Sequence, residues 1–351
     1  VTLGGEPALL RVTVRTAASP EIGAGHVART VAVANELQRI GADVRWACDA
    51  DTVPFLITRG VSHGCIRILR RSATMGQQGE LQACDEDQRI DAAETLEHSG
   101  DLTNWLLVDS YQLGTVWQRA VRTRGARIAA FDDLIDRPLE VDLVVNAAGM
   151  RTEYEFIAPQ ATALCGLDFA VTLTAPAPPP HFSAPRGFLV AFGASDSTNA
   201  TFHVLRELAK ARRDDDPFVA WVQLGHNAPH REGVERLARE LGWARMLMPS
   251  DTVDAGGRGI AVAIGASGVS LFERMRDGIP GIVMPIAPNQ RRIADAAERC
   301  GAVIPATDPA SAVSAAIDLR LDVERLRELS SAGQLAVDGV GARRIANRMF
   351  S

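Results

Sequence analysis

Short apolar runs alternate with amphipathic stretches along the first half of the chain, the pattern of βα units around a parallel sheet. Strands are predicted at residues 11–17, 43–48, 65–69, 105–110, 127–131 and 142–146. These runs are apolar throughout rather than alternating, so the sheet should be covered on both faces. Between the first two runs, Val27, Val31, Val33, Ala34 and Leu37 form one apolar face over residues 26–40, and Gly41 stands at the end, which predicts a helix. Residues 85–97 read as a second helix.

The pattern breaks at TAPAPPPHFSAPR, residues 174–186, with five prolines in thirteen residues. Proline fixes φ and removes amide donors, so a stiff extended linker is expected. The alternation then restarts. Strands are predicted at 187–192, 218–224, 245–248, 260–264 and 281–285, and helices near 199–212, 269–277 and 290–300, followed by a helical tail over 309–350. The resulting plan is an α/β protein of two Rossmann-like domains, 1–174 and 187–351, joined by a linker at 175–186. The alternative is one large sheet interrupted by a loop. Clefts between such domains commonly hold ligands.

Composition narrows the classes. At 351 residues the chain has room for about two domains, each able to bury a core without disulfides. A net charge of -6 argues against a nucleic-acid or membrane surface as the main partner. No apolar run is long enough to cross a bilayer, and the first residues show no secretory signal. Five cysteines without a CxxC pair read as reduced thiols of a cytoplasmic protein rather than a zinc site. Lys210 is the only lysine among 37 basic residues, the residue usage of a GC-rich bacterial genome.

Four glycine-bearing segments carry the candidate chemistry. In Ile22-Gly23-Ala24-Gly25-His26-Val27, Gly23 and Gly25 let backbone amides approach a ligand, and the helix start suits phosphate. GxG alone is weak; His26 sharpens it, since an imidazole at the mouth of the sheet can act as a general base. Capping or packing is the alternative for His26. In Ile264-Gly265-Ala266-Ser267-Gly268-Val269-Ser270 the glycines again open the backbone to an anion, and Glu273 can accept hydrogen bonds from both hydroxyls of a ribose. Simple attraction to the helix start is the alternative for Glu273. Asn289 and Gln290 follow a strand at its ligand-binding edge, with an N-cap as the alternative for Asn289. Gly193 and Ser195, in Phe192-Gly193-Ala194-Ser195-Asp196 with Asn199, form a further strand end, equally consistent with local capping. Asp109-Ser110-Tyr111 and Phe131-Asp132-Asp133 end two strands, but no His or Cys stands at ligand spacing and no metal is expected.

Together these motifs resemble the UDP-sugar hydrolases of pseudaminic acid synthesis and their spore-coat polysaccharide relatives. RTAASPEIGAGHVART is similar to that family's Arg-x-Asp, spacer, Ile-Gly-x-Gly-His and following Arg. VDSY, FDDL, VVN, AFGASDSTN and GASGVSLFE with GIP and NQ follow in the family's order, over about residues 11–305. More distantly the plan resembles the glycosyltransferase B fold of the enzyme that adds N-acetylglucosamine to the peptidoglycan lipid precursor. The resemblance implies two Rossmann-like domains facing a cleft, with UDP on the C-terminal domain and Glu273 on its ribose. It places His26 at the anomeric carbon and matches Arg29 to the family Arg. No cofactor is implied beyond the UDP-sugar substrate.

The departures lie near the sugar and the attacking water. Ala17 stands where the family has Asp, Ser110 where a His follows the strand-end Asp, and CGLDFAV runs straight into the proline segment. The UDP-facing motifs survive. The reading favoured is therefore a glycosyltransferase that moves a sugar from UDP to a small acceptor, a nucleobase being conceivable, in specialised metabolism. His26 would be the base, and the glycine-loop amides, helix starts and Arg29 would stabilise the departing diphosphate. UDP-sugar hydrolysis and non-catalytic binding of a nucleotide-sugar are the alternatives. Sugar, acceptor and oligomeric state have no signature in the sequence.

Overall fold

The computed structural model describes residues 10–19, 23–70, 83–99, 103–123, 125–173, 180, 182, 187–248 and 253–351. The first nine residues, expected to carry no secretory signal, Ile22, and all of the proline-rich linker except Pro180 and Phe182 lie outside them. The chain forms two compact units, one of Val1–Ser19, His26–Val171 and Gly341–Ser351, the other of Pro20–Gly25 and Thr172–Val340.

In the first unit seven parallel strands make one sheet. They are β1 (Arg11–Thr16), β2 (Asp43–Cys48), β3 (Ile66–Ile68), β4 (Trp105–Asp109), β5 (Arg127–Phe131), β6 (Leu143–Asn146) and β7 (Thr162–Cys165). Their order is β3-β2-β1-β4-β5-β6-β7, so the chain reverses its direction of winding between β1 and β4. The helices between these strands are α1 (Gly25–Arg39), α2 (Val53–Ile57), α3 (Asp85–Ser99), α4 (Thr115–Arg122) and α5 (Tyr154–Ile157). One face of the sheet packs Val12, Val14, Trp105 and Leu107 against Val27, Val31 and Leu37 of α1. The other packs Leu106, Val108 and Ile128 against Leu113, Trp117 and Val121. Burial on both faces is why these strands read as unbroken apolar runs.

The second unit repeats the plan with six parallel strands. These are β8 (Gly187–Ala191), β9 (Ala220–Gln223), β10 (Ala244–Met246), β11 (Ile260–Gly265), β12 (Gly281–Val283) and β13 (Val303–Pro305), in the order β10-β9-β8-β11-β12-β13. Its helices are α6 (Ala200–Ala211), α7 (Arg231–Leu241), α8 (Val269–Arg276), α9 (Pro288–Arg299), α10 (Pro309–Leu319) and α11 (Val323–Ala336). Here the winding reverses between β8 and β11. In open α/β sheets ligands bind beyond the carboxyl ends of the strands at such a switch point.

The last helix, α12 (Gly341–Phe350), corrects the expected domain boundary. Sequence placed it with the second domain; it belongs to the first. Ile345, Ala346 and Met349 are buried in the same cluster as Val12 and Val14. Gly341 makes the approach possible, because a Cβ there would lie 2.2 Å from the carbonyl oxygen of Ala170. Arg344 also donates to the Asp168 carbonyl at 2.9 Å. The expected helical tail is thus three helices, α10, α11 and α12, divided between two units.

Candidate active site

At the first switch point the chain leaves β1 through Ala17 and Ala18 and enters α1. Thr52 anchors that exit, its hydroxyl accepting the Ala18 N–H at 2.8 Å. Gly23, with φ of +84°, takes a conformation that L side chains rarely adopt. Gly23 and Gly25 both group with the second unit, where a Cβ on Gly23 would come 3.7 Å from the Ser195 hydroxyl.

His26 and Arg29, one turn apart on α1, fall on one face of the helix. Both are buried, as is Asp109, the last residue of β4. His26 Nδ1 meets Asp109 Oδ1 at 2.7 Å. Arg29 donates to the same carboxylate from Nε at 2.6 Å and from Nη2 at 2.7 Å. Its Nη1 reaches both oxygens of Asp133 at 2.9 and 2.8 Å. Tyr111 donates its phenol proton to Asp133 at 2.6 Å, and its ring packs edge-on to the imidazole at 4.8 Å between centroids. The Arg29 guanidinium also lies over the Phe131 ring, 4.5 Å from its centroid.

A buried cation near the start of a helix opposes the helix dipole, and Arg29, the fifth residue of α1, is balanced by two carboxylates. Burial alone would raise the Asp109 pKa; the charges of Arg29 and His26 outweigh it and hold the carboxyl well below the usual range. Burial and the neighbouring Asp133 carboxylate push the Tyr111 phenol well above its ordinary value, so it stays a proton donor. With a neutral imidazole the cluster of Arg29, Asp109 and Asp133 carries one excess negative charge. A proton taken up by His26 brings it to neutrality.

One expectation changes here. Arg29 is committed to Asp109 and Asp133 instead of being left for a diphosphate. The carboxylate meeting His26 is Asp109, 83 positions away. Asp132 and Asp133, adjacent in sequence, take different partners. Asp132 turns inward to accept from Tyr154 at 2.9 Å and from the Leu134 and Ile135 amides. Ser110 is buried, and its hydroxyl accepts the Gln112 amide at 3.2 Å.

At the second switch point the candidate residues separate into structural and open ones. Gly265 is a packing residue: a Cβ there would lie 2.1 Å from the Ala191 carbonyl oxygen and 2.5 Å from the Arg274 guanidinium. Arg274 is buried and donates to the carbonyl oxygens of Ala191 at 3.1 Å and Ala266, tying together the ends of β8 and β11. Burial lowers its pKa to about 10 against the raising effect of Glu273. Ser267 is fully buried, donating to the Gln290 carbonyl at 2.9 Å. Gly268 is open: the nearest atom to a Cβ there is Gln290 Nε2 at 3.9 Å. It precedes Val269, the first residue of α8, and no side chain caps that helix.

The Gln290 carbonyl Oε1 accepts the Ile286 N–H at 3.0 Å, while Asn289 stands beside it in the first turn of α9. The Glu273 carboxylate accepts the Leu173 amide at 3.3 Å. Burial raises the Glu273 pKa, partly offset by that amide. Around Gly193 and Ser195 the local capping reading describes the loop, since the buried Asp196 carboxylate accepts the Ala200 and Thr201 amides at the start of α6. Asp196 and Asn199 both have positive φ, 39° and 57°, so this turn is held in an uncommon backbone region.

Sequence reading weighed Asp109, Tyr111 and Asp133 for a metal only, missed Asp109 as the partner of His26, and missed Arg274 altogether. Their one signal was position, since Asp109, Asp133 and Tyr111 fall at or just past predicted strand ends.

Two parallel sheets of this winding, one per unit, form the glycosyltransferase B fold. No protein-family model and no curated protein sequence matches the chain. Solved structures do. MurG of Acinetobacter baumannii is similar with a TM-score of 0.67 at 14% identity, over 97% of this chain and 99% of that one. The UDP-GlcNAc 2-epimerase of Neisseria meningitidis, bound to UDP-GlcNAc, gives 0.65 at 10% identity, over 97% and 100%. The spinosyn rhamnosyltransferase SpnG, complexed with thymidine diphosphate, gives 0.64 at 16% identity, over 98% and 100%.

Proposed function

We propose that the protein is a nucleotide-sugar-dependent glycosyltransferase that moves the sugar of a UDP-sugar to a small acceptor. The observation that carries this reading is the buried His26–Asp109 contact at 2.7 Å. With Nδ1 donating its proton to Asp109, Nε2 is left unprotonated and able to take a proton from an acceptor O–H or N–H. The deprotonated acceptor atom bonds to the anomeric carbon as the C–O bond to the diphosphate breaks. UDP leaves with that electron pair and needs no acid. The imidazolium is held by Asp109, in a cluster that the incoming proton makes neutral.

In this reading the nucleotide is held by the second unit. Glu273 takes the ribose hydroxyls, and Asn289 and the Gln290 amide sit at the start of α9. The open backbone at Gly268 and Val269 presents the uncapped start of α8 to the diphosphate. Gly193 and Ser195 line the neighbouring strand end, and Gly23 and Gly25 the loop before His26. Arg29 acts through Asp109 and Asp133 instead of touching phosphate. The fold shared with MurG and SpnG supports glycosyl transfer, and the resemblance of the glycine-bearing motifs to those of the pseudaminic-type hydrolases favours UDP as the carrier.

The test is UDP release with and without a panel of small nucleophiles. Release should require an acceptor, and His26→Gln should cut it by about 10²–10⁴ while leaving UDP affinity within a few fold. Brisk release in buffer alone would make the protein a UDP-sugar hydrolase. UDP binding with no turnover over the whole panel would make it a nucleotide-sugar-binding protein.

A further inference from the structure

Behind the His26 cluster lies a second buried network that the proposed chemistry does not use. Asn146 ends β6, Asp132 follows β5, and Tyr154 begins α5; the three side chains are almost wholly buried. Asn146 donates from Nδ2 to the Tyr154 hydroxyl at 2.9 Å. Tyr154 donates to Asp132 Oδ2 at 2.9 Å. Asp132 Oδ1 accepts the Leu134 and Ile135 amides at 3.2 and 3.3 Å. Asn146 Oδ1 is itself fixed by the Ala148 amide at 2.9 Å.

This network ends on a strained residue. Ile135 has φ of +56°, a left-handed conformation that a β-branched side chain adopts only where surrounding structure enforces it. The turn so held begins at Asp133, which reaches Arg29 and Tyr111.

We propose that the Asn146–Tyr154–Asp132 network is a positioning device. It holds Ile135 in its left-handed turn, thereby presents Asp133 to Arg29 and Tyr111, and so fixes the His26–Asp109 pair. The charged groups involved are few. Tyr154 and Arg137 face Asp132; Asp109, Arg29 and Tyr111 face His26. A full-strength network is worth having because each buried polar group left unpaired is costly and the bonds in such a chain reinforce one another. Only the kinetic part of the test below rests on the glycosyltransferase reading.

Tyr154→Phe keeps the buried ring and removes the hydroxyl. The primary readout is the Nδ1 proton and nitrogen resonance of His26 in the unliganded full chain, which reports its bond to Asp109 directly. Tyr154→Phe should shift or broaden that resonance. Gly149→Ala should do the same from the other end, since its Cβ would lie 2.7 Å from Asn146 Nδ2. Adding Ile135→Gly to Tyr154→Phe should restore the resonance, because glycine takes the turn without being held. Turnover should fall about tenfold in Tyr154→Phe with UDP affinity unchanged, and recover in the double variant. A His26 resonance unmoved in both Tyr154→Phe and Gly149→Ala would overturn the proposal. So would a shifted resonance that Ile135→Gly fails to restore, since a purely packing role for Tyr154 predicts no rescue. Resonances that behave as expected in a protein without turnover would leave the positioning device standing and remove the glycosyltransferase reading.

Discussion

Asp109→Asn separates the structural and chemical roles of the buried cluster. Asp109 is fully buried, bonded twice to Arg29 and once to His26. Removing the charge of one partner in a buried ion pair costs about 3–5 kcal/mol. Arg29 keeps Asp133, so the lower end applies, about 3 kcal/mol, or roughly 6–12 °C in Tm for a domain of this size. The pH dependence follows from the depressed Asp109 pKa. A carboxyl whose folded pKa lies below its unfolded value, about 3.9, contributes stability that is fully present above that value and lost as pH falls through the folded pKa. The gap between wild type and Asp109→Asn should therefore be full at neutral pH and narrow in acid. Catalytically, an asparagine can turn its amide N–H toward Nδ1, which places the imidazole proton on Nε2 and removes the base. Acceptor-dependent UDP release should fall by about 10²–10⁴ with nucleotide affinity little changed. Urea denaturation at neutral and acid pH measures the two stability effects, and a UDP-release assay with calorimetric UDP titration measures the third. A variant that matches wild-type stability at neutral pH, or a gap that widens in acid, would refute the electrostatic account.

Glu273→Gln should weaken UDP binding by about 1.5–3 kcal/mol, roughly 10–100-fold, as for lost hydrogen bonds to a charged group. Because burial raises the folded Glu273 pKa, its ionised form carries a penalty at neutral pH that is absent below the unfolded pKa of about 4.3. The same variant should therefore melt higher than wild type at neutral pH, by about 2–4 °C for each kcal/mol relieved, and lose that advantage in acid. Unchanged UDP affinity with the fold intact would remove Glu273 from the ribose. The two glycines of the β11–α8 loop should behave oppositely. Gly265→Ala overpacks against Ala191 and Arg274 and should lose about 1–3 kcal/mol of stability. Gly268→Ala, at φ of −85° with no atom closer than 3.9 Å, should keep stability within about 0.5 kcal/mol yet weaken UDP binding at least several fold. Thermal melts and UDP titration of the pair check this, and equal effects of both substitutions would contradict the division of roles.

The strands that could be read from sequence were those buried on both faces. Trp105-Leu106-Leu107-Val108 and Ile260-Ala261-Val262-Ala263-Ile264 are unbroken apolar runs, and both are central strands next to a switch point. The strands that escaped are short outermost ones. Thr162–Cys165 has a half-buried pattern with a threonine at its head, and Val303–Pro305 is three residues long. Neither carries enough buried apolar surface to stand out from a loop. Helix α12 was legible as a helix but not as part of the first unit. Its apolar face of Ala342, Ile345, Ala346 and Met349 would suit any covering position, and the close approach at Gly341 with the Arg344–Asp168 bond fixes which sheet it covers.

The site was legible where one side chain acts alone and illegible where two must meet across the sheet. His26 stood out because an imidazole at a strand–helix junction is chemically suggestive by itself, whereas its partner is the last residue of a strand 83 positions on. The departure at Ala17 reads from sequence as a change near the sugar and the attacking water. The carboxylate that meets His26 is Asp109, whatever residue stands at position 17. What Ala17 still means is narrower. The residue is buried, and a carboxylate there would sit in the strand exit that Thr52 fastens. Its absence removes a group that could orient water without removing the base. In the glycosyltransferase reading proposed above, the His26–Asp109 pair would deprotonate whatever nucleophile is held against it. Holding that nucleophile in place, which can be worth several kcal/mol, would then be the step that selects an organic acceptor over water.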